Sequence, residues 1–176
     1  VTRDKSKAIP FSIPFGQFLK KTKGTDVYFE QAFSDLEFTN ASYILMAENL
    51  LNSAKNIPES IREHLDAAIH TMQGRPQESM RTCGRDVLFP MIDKVYQAEF
   101  GFNRSGSLYD SCNELEQKAK VKQFPRHLAA HFHSLRTSGN DGSHAEEYVD
   151  ACTQARAFLT VLETIHVAEE VYKRYQ

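Results

Sequence analysis

Residues 135–144 read Leu-Arg-Thr-Ser-Gly-Asn-Asp-Gly-Ser-His, and the rest of the chain is organised around this stretch. It follows apolar positions spaced three and four apart, a pattern that predicts the end of an amphipathic helix. Gly139 predicts that this helix stops, because glycine readily adopts the left-handed conformation of a helix terminus. Ser143 followed three residues later by Glu146 has the spacing of a capping box, which starts a new helix. The stretch is therefore predicted to be a tight turn between two helices.

Two side chains of this stretch could carry chemistry. Arg136 can hold a phosphate through two parallel hydrogen bonds, and His144 can move a proton near neutral pH. At the start of a helix, His144 would also lie beside free backbone N–H groups that favour an anion. Metal-free RNA cleavage needs a base, an acid and a cation, so this pair, with a second copy from a symmetric partner, would suffice. A purely structural role, with Arg136 near a helix C-terminus and His144 bonded to a neighbouring carbonyl, is the alternative.

Apolar residues at helical spacing recur from Asn40 to the end of the chain, and no strand-like alternation of useful length interrupts them. Pro58, Pro76 and Pro125 open predicted helices, and Ser107 with Asp110 forms a capping box for another. The sequence therefore predicts an all-α fold, an antiparallel bundle of five or six helices with short connections.

The third predicted helix, with apolar positions from Met80 to Tyr96, is the best candidate for the core. Because Pro90 lies inside it, we expect a kink near Asp86 to Pro90. Arg81 and Arg85 lie one turn apart on it and could share an anion, although such a pair is more often solvated or bridged to an acid.

Composition limits the class of protein. The 176 residues are 41% hydrophobic and 25% charged, which suits one globular domain. The net charge of -2 argues against nucleic-acid binding by overall charge alone, although a local basic patch stays open. No apolar run is long enough to span a membrane. The three cysteines and the lack of a Cys-x-x-Cys pair predict neither disulfides nor a zinc finger, and favour a cytoplasmic protein.

Residues 1–39 differ from the rest. They are rich in lysine and interrupted by Pro10 and Pro14, with scattered phenylalanines and no clean helical period. We interpret them as a basic N-terminal arm on the bundle of residues 40–176, packed through its aromatic residues, with a nucleic-acid tether as the alternative. The chain starts with Val1 and shows no signal peptide, so we expect it to be a piece of a longer protein with further domains.

Three histidines share the helix before the central stretch. His127 and His131 are one turn apart, a spacing that can hold zinc, and His133 follows. No glutamate follows His127 directly, so a polar helix flank is the preferred interpretation. No phosphate loop or nucleophile motif is present either. The sequence predicts no metal and no cofactor.

The motif of residues 135–144 resembles that of a known family. Leu135-Arg136, Gly139-Asn140 and His144 resemble the signature of HEPN-superfamily helical domains, in particular a branch with an Arg-x-x-Gly-Asn-x-x-x-His pattern. The helix from Arg81 to Tyr96 resembles that branch's long arginine-bearing helix, and Ser107 to Leu115 resembles its short following helix. The resemblance covers about residues 76–175.

The resemblance implies a compact helical bundle, commonly a homodimer, whose Arg and His turns meet near the interface. Many members are metal-independent endoribonucleases of bacterial defence systems, and others are inactive RNA-binding, nucleotide-binding or assembly modules. By this analogy Arg136 and His144 would be catalytic. We expect Asn140, Arg81 and Arg85 to bind RNA.

The sequence departs from the ribonuclease pattern at two points. Seven residues separate Arg136 from His144, where the active motif usually has four to six, and Thr137 replaces a polar Asn, Asp or His. Both departures bear on catalysis and not on the fold. A non-catalytic module for dimerisation, RNA or nucleotide binding, or protein interaction is therefore the second hypothesis.

Overall fold

A computed structural model describes residues 40–104, 106–144 and 151–176, without the side chains of residues 40–41, 141–144 and 151–152. The predicted arm of residues 1–39 lies outside the described residues. The described part is all helical. Its elements are α1 (Asn40–Ser53), α2 (Glu59–Thr71), α3 (Pro76–Thr82), a π-helical segment (Cys83–Val87), α4 (Leu88–Phe100), α5 (Leu108–Lys120), α6 (Arg126–His144) and α7 (Ala151–Arg174).

The prediction of an all-α bundle is confirmed for these residues. Helix α3, the π-helical segment and α4 run on without a break, so six helical rods result. The helix starts predicted at Asn40 and Pro76 are those observed, and the Ser107–Asp110 capping box is present with both of its hydrogen bonds. None of the described helices is long and apolar enough to cross a membrane.

One hydrophobic core joins the rods. Helix α6 packs against α3, α5 and α7, and α3 also packs on α2 and α7. Side chains from every rod enter the core; the largest that are fully buried include Leu65, Ile69, Leu88, Met91, Ile92, Tyr96, Leu115, Leu128, Phe132, Leu135 and Ile165. Burial of a side chain of this size stabilises the fold by about 1.5 to 3 kcal/mol.

The kink predicted near Asp86 to Pro90 stays a prediction. The helix continues through Pro90, and the π-helical segment Cys83–Val87, which overlaps the predicted range, precedes it. A π turn inserts one extra residue into the helix, so it changes the direction of the side chains that follow. The Leu88 N–H accordingly reaches back to the carbonyl of Cys83.

This π-helical segment crosses α6 at two glycines. A Cβ built on Gly84 would lie 2.5 Å from the Cα of Gly139 and 2.8 Å from the carbonyl oxygen of Leu135. A Cβ on Gly139 would lie 2.7 Å from the Gly84 Cα. Side chains are excluded here on both helices, so the two backbones touch.

The crossing corrects the predicted turn. Gly139 does not end a helix: α6 continues through it to His144. Ser143 therefore lies inside α6 and does not cap a following helix, and His144 is the last residue of α6 and not the first of the next helix. Glycine is a local signal for a helix end, but here the close contact with Gly84 explains why residue 139 is a glycine.

Candidate functional site

Arg136 is on α6, and its side chain contacts α5. It is half-buried, and its guanidinium carbon is 5.1 Å from the ring centroid of Tyr109, at cation–π distance. One terminal nitrogen donates a long hydrogen bond of 3.4 Å to the Thr137 hydroxyl. Tyr109 is in the first turn of α5 because the Ser107–Asp110 capping box fixes the start of that helix. Among the described side chains, the arginine thus contacts an aromatic ring and not an acid.

The guanidinium has unused hydrogen-bonding capacity. Its Nε is buried and meets no acceptor among the described residues, and no carboxylate of that part of the chain forms an ion pair with it. An arginine has five N–H donors in a planar fork that matches carboxylate and phosphate oxygens. A buried donor without a partner costs about 1 to 3 kcal/mol, which an anionic ligand would offset.

Cys112 lies beside this arginine but is not a nucleophile. Its thiol is buried and contacts the carbonyl oxygen of Phe132 at 3.8 Å. Burial raises the pKa of the Cys112 thiol to about 11, although the positive charges of Arg136 and Arg104 act in the opposite direction. At neutral pH the thiolate that nucleophilic attack requires is therefore scarce.

The glycine crossing brings the other predicted RNA-binding residues to the same region. Arg81 and Arg85 lie on either side of Gly84 in the third rod. Arg136 and Asn140 lie on either side of Gly139 in α6. Arg81, Arg85 and Asn140 are exposed, and neither arginine has a carboxylate partner in the described part of the chain. We call Arg81, Arg85, Tyr109, Arg136 and Asn140 the crossing surface.

His144 is related to Arg136 through the backbone of α6. The two positions are eight residue steps apart, which is about 12 Å along a helix and about 80° around it. Its side chain is not among those described. Helical side chains lean toward the N-terminus, so Arg136 extends away from the position of His144. Because α6 is continuous here, the predicted turn does not bring the two residues of one chain together.

The histidines upstream on α6 contact carboxylates. His127 Nε2 lies 2.6 Å from Glu170 and His131 Nδ1 lies 2.7 Å from Glu163, both on α7. His133 Nε2 lies 3.4 Å from Glu116 on α5 without hydrogen-bond geometry. Among the side chains that the structure describes, no group of three or more His, Cys, Asp or Glu is arranged to hold a metal. These histidines join helices, in agreement with the preferred interpretation of a polar flank.

Tyr109 is the residue of this region that sequence reasoning missed. The residue is 55% exposed while its ring contacts Arg136. The capping box showed where α5 begins, but the pairing of α5 with α6 was needed to place this ring beside Arg136.

Comparisons of the chain with protein families, with curated proteins and with solved structures give no match. The HEPN resemblance therefore stays a prediction that depends on the residues quoted above.

Proposed function

We propose that this chain is an RNA-directed, HEPN-like domain that cleaves RNA without a metal as a homodimer. In this proposal Arg136 holds a backbone phosphate, His144 transfers protons, and Arg81, Arg85 and Asn140 hold the flanking strand. The observation that carries it is Arg136 itself: its guanidinium lies over a ring, and among the described residues it meets no acid and its buried Nε meets no acceptor.

The dimer in this proposal is suggested by α6. The two catalytic candidates of one chain are about 12 Å apart along one helix. If Arg136 of one chain is paired with the partner's copy of His144, both groups can reach one phosphate, and two-fold symmetry then generates two equivalent sites. The resemblance also suggests a cytoplasmic defence role within a longer protein, and this belongs to the same proposal.

A non-catalytic module for dimerisation, RNA or nucleotide binding, or protein interaction is the second candidate. The separation of seven residues between Arg136 and His144 favours it, because this spacing on one continuous helix is two turns and not one. In this case the crossing surface binds a phosphate but no proton is transferred.

The test is cleavage of single-stranded RNA by the purified chain in excess chelator. Since general acid–base catalysis contributes about 10²- to 10⁴-fold, His144→Ala is expected to lower the rate at saturating RNA by at least about a hundredfold. Arg136→Ala is expected to weaken RNA binding as well as cleavage. Arg136→Lys is expected to keep only part of both, because lysine lacks the planar fork of hydrogen-bond donors. His64→Ala and Arg75→Ala, both exposed positions away from the crossing surface, are the matched controls.

Cleavage at the wild-type rate by both His144→Ala and Arg136→Ala would reject the site. If the wild type binds RNA through Arg136 but leaves it intact, the second candidate is supported. The controls separate these outcomes from a general loss of folding, which circular dichroism of each variant also checks.

A further inference from the structure

A second group of cations without carboxylate partners among the described residues lies at the other end of α6; Arg126 donates a hydrogen bond of 3.4 Å to the Ala119 carbonyl and Arg174 lies over the Tyr175 ring. Two adjoining surface recesses of about 490 and 410 Å³ share Arg174 as a wall. The first is bordered by Lys122 and Arg126 at the α5–α6 connection, and the second by Lys94 of α4. We call the two recesses together the basic groove.

The charges of the basic groove are unbalanced. Four cationic side chains line it and Glu99 is its one acidic side chain, which gives a net side-chain charge of +3. The Glu99 carboxylate accepts a hydrogen bond of 2.6 Å from the Tyr175 hydroxyl. In the described part of the chain none of the four cations has a carboxylate within ion-pair distance, whereas the neighbouring Lys118 and Lys120 are paired with Glu114 and Glu116. On a chain with a net charge of -2 this local excess is distinctive.

Lys122 adopts a backbone conformation that does not suit lysine. Its φ is +62°, in the left-handed region, and it is the one non-glycine residue of the described chain with positive φ. The hydrogen bonds from Lys122 N–H to Ala119 and from Gln123 N–H to Lys118 form a Schellman motif, in which glycine is usual at this position. A lysine there is strained, and strain in a native structure is a reason to look for a function of the side chain.

We propose that the basic groove binds the phosphate backbone of a single RNA strand, at a distance from the crossing surface. Its cations are spread over two adjoining recesses contributed by α4, the α5–α6 connection and α7, so they fit a chain of charges better than a single phosphate. An acidic peptide would bring the same charge, but a phosphodiester strand repeats it at every nucleotide. This inference rests on the proposed function only in taking RNA as the ligand.

The two sites are joined by α6. From Arg126 to Asn140, the last α6 residue of the crossing surface, this helix spans 14 residue steps, or about 21 Å. At about 3.4 Å for each stacked nucleotide, a strand that engages both sites contains about six nucleotides. Affinity is therefore expected to increase with RNA length up to this size and to change little beyond it.

The salt dependence of binding tests the groove directly. On a His144→Ala background, which keeps the RNA intact, fluorescence anisotropy with oligonucleotides of about 4 and about 12 nucleotides gives affinities over a range of salt. Each phosphate contact on a single strand contributes about 0.7 to the log–log slope. The variant Lys122→Ala/Arg126→Ala/Arg174→Ala is expected to lower the slope for the longer strand by about 2, and the affinity at 0.1 M salt by about a hundredfold. Lys173→Ala, one exposed lysine of α7 that does not line the groove, is the control.

Lys122→Gly separates binding from folding, because its two expected effects have opposite signs. Glycine relieves the left-handed strain, so the melting temperature is expected to rise by about 2 to 4 °C. Loss of one phosphate contact is expected to lower RNA affinity at 0.1 M salt by about fivefold. A variant that is more stable and binds RNA more weakly cannot owe the weaker binding to unfolding.

The outcomes are distinguishable. If the groove variant has the salt slope and affinity of Lys173→Ala while the wild type still binds and cleaves RNA, the RNA-binding role of the groove is overturned. The proposed function then stays intact. RNA binding that depends on the groove, without cleavage by the wild type and without dependence on Arg136, supports the groove and rejects the proposed function. Tighter groove-dependent binding of poly-glutamate than of RNA overturns the choice of RNA, and no RNA binding at all overturns both.

Discussion

At the scale of single residues, the two glycines of the helix crossing have the largest predicted effect. Gly84 has no room for a side chain, because a Cβ there would meet the backbone of α6 at 2.5 Å. Since backbone atoms cannot rotate away, Gly84→Ala is expected to lower the free energy of unfolding by about 3 kcal/mol, the upper end of overpacking costs. The measurement is urea denaturation followed by circular dichroism.

Gly74→Ala is the matched control for this prediction. No atom lies within 4 Å of a Cβ at Gly74, so this variant is expected to stay within about 0.5 kcal/mol of the wild type. Equal stability of the two variants would contradict the close approach of α6 and the π-helical segment.

Also at the residue scale, Glu169 gives a dependence of stability on pH. Burial alone would raise the pKa of this carboxyl, but hydrogen bonds from the backbone N–H and side chain of Asn56 outweigh burial and hold the pKa below its usual range. The ionised form is thus favoured in the folded state. Its contribution is present above the unfolded pKa and is lost as pH falls through the lower, folded pKa.

Glu169→Gln is the corresponding test. At pH 7 it is expected to cost about 1 kcal/mol, since hydrogen bonds to a partly exposed charge are weakened by solvent, and at pH 3 almost nothing. Urea denaturation of both proteins between pH 3 and pH 7 provides the comparison. Parallel curves for the two proteins over this range would show that the Asn56 contacts do not favour the carboxylate.

At the scale of elements, helices were predictable and their interruptions were not. Apolar spacing and the Ser107–Asp110 capping box placed helices correctly, because both depend on residues close in sequence. Gly139 was misjudged. It is a local signal for a helix end, yet contact between α6 and the π-helical segment, distant in sequence, explains why a glycine lies inside a continuous helix.

Asn140 distinguishes the continuous helix from the predicted turn. It is an exposed residue inside α6, where asparagine is a poorer helix former than alanine. Asn140→Ala is therefore expected to raise the free energy of unfolding by about 0.5 kcal/mol, whereas in a left-handed turn it would lower it. If Asn140 also contacts RNA, the same variant binds RNA more weakly despite its greater stability. Thermal denaturation and RNA anisotropy on one preparation measure both.

At the scale of the whole molecule, functional surfaces combine residues that sequence reading cannot bring together. The crossing surface takes Tyr109 from α5 and Arg85 from the π-helical segment, and the basic groove joins Lys94 to Lys122 and Arg174. The motif of residues 135–144 identified Arg136 because its members are consecutive. The groove has no such motif, and only the packing of α4, α5 and α7 around α6 creates it.

The last prediction concerns two chains together. If a site combines Arg136 of one chain with the partner's His144, Arg136→Ala and His144→Ala are each inactive alone, but a mixed dimer has one complete site. Random reassortment makes about half of the dimers mixed, so the mixture is expected to recover about a quarter of wild-type activity. Co-expression with two affinity tags isolates the mixed dimer, and sedimentation checks that both variants associate like the wild type. A mixture as inactive as its components would place each site within one chain, where α6 holds the two residues about 12 Å apart.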